Sequence, residues 1–373
     1  MKNKKLNWSS VYFGFTVLFL LLISVTGRAQ ILRDTSTINL IKKGIGRIYN
    51  LEFKDAEAIL TKLNVQYPGH PASYLYKGIL IYYRNYPLLP ANSESKNFEQ
   101  QLQTGIQLCE AEEGWLDDPE RLLIDLCSRG LLLLYYSEND LNREVIPMVI
   151  STYKCVMKSF EFTSVYPDFC YFTGLYNYYR EAYPESHPVY KPVAMFFRSG
   201  DRERGMKELQ YSAENSIVLN AESYSILSWI NIYFEKNYPK ALDYSKTLHR
   251  RYPSNLLFRS EYLKTLLLLK KYDEAEKLMS LPATGNNSYY TAQLAIFNGL
   301  IQEKKYQNIK EAERFYTRGI NDLKKFNERG KEFREFGNKG LKRLEGLKDG
   351  RQPGKKKSGD NSGEIDKDIL SFD

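Results

Sequence analysis

The sequence predicts an all-α solenoid of stacked helical hairpins, and three observations carry that expectation. Small residues return at a fixed interval: Gly44 and Gly78 lie 34 positions apart, as do Ala241 and Ala275. Proline marks the ends of units, at Pro68 and Pro253. Alternating β-branched runs bounded by hairpin turns, the pattern of strands, are absent.

The elements follow in chain order. Leu40 precedes Gly44 by four positions and Tyr74 precedes Gly78 by four, so each glycine sits on an apolar helix face. Ala56, Leu60, Leu63 and Pro68 follow Gly44 by 12, 16, 19 and 24 positions. The glycine and alanine are expected where two helices cross closely, and the leucines fill the contact. Tyr86 to Phe98 is rich in Pro, Ser and Asn and reads as an ordered loop inserted in the second unit. The close-contact position recurs at Gly130, Gly174 and Gly299, with Trp229 and Leu263 replacing glycine elsewhere. Tyr183 to Ser199 is a second insertion, with three prolines and the apolar run Val193–Phe197, which is expected to dock against the array. Ala241, Leu248 and Pro253 keep the second-helix spacing, and Lys271-Tyr272-Asp273-Glu274-Ala275 opens the next second helix. A last pair, Lys310–Phe326 and Lys331–Leu347, is charged and amphipathic, as a capping pair should be. Residues 349–373 are dominated by Gly, Lys, Ser and Asp and read as a disordered charged tail.

This spacing resembles the tetratricopeptide (TPR) pattern, a helix–turn–helix unit of about 34 residues. A solenoid also answers a size problem. Residues 30–348 form one repeat domain, longer than the ~250–300 residues at which single cores stop growing. A more local likeness lies between Tyr171 and Asn215. The helix Gly174-Leu175-Tyr176-Asn177 and the helix start Phe197-Arg198-Ser199-Gly200-Asp201-Arg202-Glu203-Arg204-Gly205 resemble the tetratricopeptide repeat protein 39 and inclusion-body-clearance family. That resemblance implies helical repeats and an adaptor role without enzymatic activity. Those relatives work inside the cell, and the beginning of this chain points elsewhere.

Lys2, Lys4 and Lys5 open the sequence, Val11–Val25 is almost wholly apolar, and Gly27 and Ala29 precede Gln30. A basic start, an apolar core and a small-x-small end form the pattern of a signal peptide over residues 1–29. Fifteen apolar residues reach only ~22 Å as a helix, short of the ~30 Å hydrocarbon core. The chain is therefore expected to be exported, periplasmic or secreted, with no membrane span after cleavage. The alternative is an uncleaved N-terminal anchor. Residues 1–29 hold four basic groups and no acidic one, so removing them from 53 leaves 49 basic against 45 acidic residues. Such a mild excess, interleaved with acids, argues against a nucleic-acid partner. Cys109, Cys127, Cys155 and Cys170 lie in apolar helical contexts without metal-ligand spacing, and read as buried thiols or as one or two bridges.

No nucleophile elbow, zinc-protease, phosphate-loop or dinucleotide motif occurs, and adjacent acids such as Glu112-Glu113 point to different sides of a helix. The chain is thus expected to have no enzymatic activity, no cofactor and no metal. Its expected role is a scaffold or adaptor for a protein or peptide partner, with a glycan- or nutrient-binding envelope component as the alternative. In TPR arrays the first helices line the concave surface. The equivalent positions here are Ile79, Tyr82 and Tyr83; Leu131, Leu134 and Tyr135; Leu175, Tyr178 and Tyr179; Ile230, Tyr233 and Phe234. Tyr82, Tyr83, Tyr135, Tyr178, Tyr179, Tyr233 and Phe234 are therefore the candidate partner-binding residues. An aromatic stripe of this kind is either an open docking face or the packed interior of a tight superhelix.

Overall fold

A computed structural model describes residues 31–283 and 285–348; the expected signal peptide and the charged tail lie outside them. Among the described residues the chain is all-α, built of seven helical pairs and a closing helix. The pairs are α1 (Thr35–Tyr49) with α2 (Phe53–Gln66), α3 (Pro71–Arg84) with α4 (Ser95–Glu110), and α5 (Pro119–Glu138) with α6 (Asn142–Ser159). Next, α7 (Phe169–Ser186) pairs with α9 (Arg202–Asn215) across the one-turn α8 (Lys191–Ala194). The array continues with α10 (Asn220–Tyr233) and α11 (Tyr238–Arg251), α12 (Leu256–Leu268) and α13 (Tyr272–Met279), then α14 (Ser288–Lys304) and α15 (Ile309–Leu323). The closing helix α16 (Lys331–Lys348) packs on α15 and α14.

Local chemistry sets these boundaries. Asp34, Asp118, Asp201, Asn255, Asn287 and Asn308 each accept backbone N–H groups at a helix start. Pro71 and Pro119 occupy first-turn positions where no N–H is needed. Five of the seven turns inside the pairs share one geometry. Leu51, Asp140, Lys236, Lys270 and Gln307 all have left-handed backbones, φ between 51° and 61°. Each stands five residues before the residue that meets the first helix: Ala56, Val145, Ala241, Ala275 and Ala312. All four of those alanines are fully buried. A repeat is thus visible in backbone conformation as well as in side chains.

The close-contact positions hold with two corrections. At Gly174 the α7 and α9 backbones touch through a second glycine. A Cβ on Gly205 would lie 2.6 Å from the Tyr178 amide nitrogen and 2.8 Å from the Gly174 carbonyl oxygen. No side chain can yield there, so this stretch needs glycine on both helices. Gly130, by contrast, is not such a position, since a Cβ would meet only the Phe172 ring at 3.7 Å. Nor does Trp229 replace glycine. Ser228, one residue earlier, is buried and its Oγ donates to the Ala241 carbonyl at 3.3 Å, while Trp229 stays partly exposed.

The insertions also differ from expectation. Helix α4 begins at Ser95, so the first loop is shorter than residues 86–98, and Leu88 anchors it in the core. Tyr183–Ser186 still belong to α7. The apolar run after them docks only in part. Ala194 is buried and the Phe197 ring meets Tyr153 edge-on at 5.1 Å, but Phe196 is 89% exposed. A single helical turn turns only some of its residues inward. Phe196→Ala is therefore expected to shift unfolding free energy by no more than about 0.5 kcal/mol. Asp201→Ala, which removes the oxygen 2.9 Å from the Arg204 N–H, should cost about 1 kcal/mol. Urea denaturation of both variants checks the contrast.

The four cysteines are free and buried. Burial pushes the thiols up, Cys155 to about 12 and Cys170 to about 11, which leaves them protonated and inert.

The array closes on itself. Tyr49, at the end of α1, packs edge-on against Tyr252 and Phe258, about two hundred residues later, at 5.3 and 6.0 Å. The Asn255 side chain donates to the Tyr49 carbonyl at 2.8 Å, and the Ser254 N–H donates to Asn50 Oδ1 at 3.2 Å. One hydrophobic cluster accordingly runs from Ile31 to Phe258. Asp168 stiffens the middle: buried ahead of α7, it accepts the N–H groups of Ile217, Val218 and Leu219 at 2.8–3.0 Å.

Candidate functional site on the inner wall

The first helices face inward, because residues on them meet across long sequence separations. Tyr82 is buried and its hydroxyl donates to Glu138 Oε2 at 2.9 Å, joining α3 to α5. Tyr83 is half-buried and meets the rings of Tyr49 and Tyr82 at 5.0 and 5.4 Å. Tyr135 is buried against Phe98, with ring centroids 5.1 Å apart. Tyr178 is buried, donates to Glu235 Oε1 at 2.6 Å, and lies under the Arg202 guanidinium at 5.5 Å. Tyr233 donates to Glu332 and accepts from Lys264 Nζ, the latter at 3.0 Å. Burial pushes the phenols of Tyr82, Tyr83 and Tyr233 well above their ordinary range.

Three of the seven expected binding residues, Tyr82, Tyr135 and Tyr178, are thus enclosed in the protein. The reason is packing within and between neighbouring pairs: Phe98 and Glu138 cover Tyr82, Phe98 covers Tyr135, and Phe234 and Glu235 cover Tyr178. The other four divide. Tyr83 stays in the Tyr49–Tyr82 group, whereas Tyr179, Tyr233 and Phe234 gather around Trp229. Ring centroids there are 6.2, 4.7 and 5.4 Å from the indole, which is 42% exposed. This cluster is the accessible remnant of the stripe.

The inner wall also holds charged residues that sequence reasoning missed. Arg329, in the 3-10 turn Lys324–Gly330, pairs with Glu138 and with the Tyr86 hydroxyl, while Tyr289 donates to its carbonyl at 2.7 Å. Glu222 accepts from Tyr49, and Glu261 accepts from Ser225 Oγ at 2.8 Å. The second oxygen of each of these two carboxyls is buried without a hydrogen-bond partner. Glu222, Ser225 and Trp229 stand at i, i+3 and i+7 on α10, a spacing that places them on one face and could have flagged them.

Burial pushes both Glu222 and Glu261 up to about 7 from an unfolded value near 4.5. A carboxyl whose folded pKa is raised stabilises the fold while protonated. Stability tied to these groups is therefore full below about pH 4.5 and is lost as pH rises through about 7, by at most about 3 kcal/mol per group. Replacing both with Gln should flatten the pH dependence of urea midpoints in that window. An unchanged slope would mean that other groups set it.

Among the described residues no group of side chains has the arrangement of a metal site, and no helix is long and apolar enough to cross a membrane. No family model, curated protein or solved structure matches the chain.

Proposed function

We propose that the chain is an exported, non-enzymatic scaffold of the cell envelope that binds a protein partner at the aromatic cluster around Trp229. The observation that carries this is a 42% exposed indole floored by Tyr179, Tyr233 and Phe234. A large apolar ring left in water on a rigid support is what binding hot spots are made of. The 34-residue spacing and the Gly174–Gly205 motif, with their resemblance to tetratricopeptide adaptors, support a binding role over a catalytic one. The signal-like residues 1–29 support the envelope as its location.

The test is co-purification from the native host with wild-type chain and with the Trp229→Ala variant. The partner should be lost, by about 2 kcal/mol or more in affinity, with thermal stability nearly constant. An envelope glycan is the competing ligand, since sugars also stack on exposed indoles. Trp229 emission that shifts with oligosaccharides and not with the co-purified protein would favour it.

A further inference from the structure

A second apolar surface lies on the outer side of the array, away from Trp229. On α6 the side chains of Ile146, Val149 and Ile150 are exposed, at i, i+3 and i+4, with Ile150 70% in solvent. Tyr153, three positions on, continues that stripe and carries the Phe197 ring at 5.1 Å. Through Phe197 the stripe joins the second insertion. There Val189, Met195 and Phe196 are 79%, 82% and 89% exposed. Six large apolar side chains are thus exposed on two segments that the Tyr153–Phe197 contact joins. Scattered exposed apolar side chains need no explanation, but a contiguous set does.

Charge within these two segments is mostly basic. Exposed Arg143 and Lys154 flank the apolar residues of α6, and exposed Lys191 and Arg198 flank Met195 and Phe196. Within residues 142–159 and 187–199 the acidic residue is Glu144, and the exposed acids Asp140, Asp201 and Glu203 stand just outside. Glu185, just outside, is engaged by Arg202 at 2.9 Å. The exposed apolar residues of the insertion follow the 3-10 turn Pro188–Tyr190 and the one-turn α8, and end before the Asp201 cap of α9.

We infer that this surface is a membrane-contact site: Met195 and Phe196, with Ile146 and Ile150, enter the headgroup–acyl boundary of an anionic bilayer. Arg143, Lys154, Lys191 and Arg198 meet its phosphates. Exposed apolar side chains flanked by cations suit an interface whose core is hydrocarbon and whose surface is negative. The site is separate from the Trp229 cluster and is independent of what binds there.

The test uses the full chain carrying Phe196→Trp, compared with the same chain carrying Phe196. Both are mixed with vesicles of phosphatidylglycerol and phosphatidylcholine, or of phosphatidylcholine alone, with brominated acyl chains as quencher. The difference signal reports position 196 even if residues 1–29 themselves enter the lipid. On anionic vesicles the position-196 indole should shift to the blue and be quenched. Lys191→Glu with Arg143→Glu should weaken this about tenfold or more, and added salt should weaken it likewise. Three results overturn the inference: an unquenched indole on a chain that sediments with vesicles, equal quenching on neutral and anionic vesicles, or a blue shift that grows with protein concentration in lipid-free buffer. The last would identify the occupant as a second copy of the chain.

Discussion

Arg329→Ala should destabilise the protein by about 3–5 kcal/mol, the cost of leaving the other half of a buried ion pair uncompensated. Its guanidinium reaches from the turn before α16 to Glu138 at the end of α5 and to Tyr86 after α3. One side chain therefore ties the closing helix to the second and third pairs. Burial alone would pull the Arg329 pKa down, yet the charge of Glu138 holds it well above the usual value. Without the arginine, Glu138 keeps only the Tyr82 hydroxyl. Its carboxyl, already raised by burial, should rise further, so part of the lost stability returns as pH falls and the group is protonated. Arg329→Met combined with Glu138→Leu should recover most of the loss, because an apolar pair of similar volume leaves no buried charge. Urea melts of the single and double variants decide it. A single variant within 1 kcal/mol of wild type, by the same scale, would show the pair to be hydrated and loose.

Tyr178→Ser should cost a similar amount, on the order of 3–5 kcal/mol for an aromatic side chain removed from a core. The ring is fully enclosed by Tyr179, Phe234 and the Arg202 guanidinium, and it lies next to the Gly205 crossing where no backbone movement can refill the space. Tyr178→Phe keeps the ring and removes only the hydroxyl. Since Glu235 retains Arg202 at 2.8 Å, this milder change should cost about 1 kcal/mol. A Ser variant that melts like wild type would restore Tyr178 to an open face. The same pair of measurements on Tyr82 should behave alike, because Glu138 retains Arg329 there.

The helical repeat was legible because it is written in residue types. Ala56, Ala241, Ala275 and Ala312 mark the second helices by size alone, and Gly44, Gly78, Gly174 and Gly299 mark the first. The shared turns were hidden, since Leu51, Asp140, Lys236, Lys270 and Gln307 adopt left-handed backbones without being glycine or asparagine. Exposure of the inner wall was hidden for a different reason. An inward-facing tyrosine has the same spacing whether the superhelix is open or tight. What settles the matter is a contact such as the Tyr82 hydroxyl with Glu138, 56 residues on, which no local window contains. Arg329 escaped notice for the same cause: within its own segment, Lys324–Gly330, it reads as one more solvated charge. The apolar tip at Met195 and Phe196 was noticed and assigned inward, because hydrophobicity says that a residue avoids water and not which apolar phase it enters.

The central claim is that the first and sixth pairs meet, so that the array closes on itself. Asn50 and Ser254 face each other at that meeting point, with the Ser254 N–H 3.2 Å from Asn50 Oδ1. The variant Asn50→Cys with Ser254→Cys should form an intramolecular disulfide under mild oxidation, identified by the mass of the linked peptides, with helical circular dichroism unchanged. A folded, fully helical chain in which these two thiols stay reduced, or pair only between molecules, would show an array that is open between its first and sixth pairs.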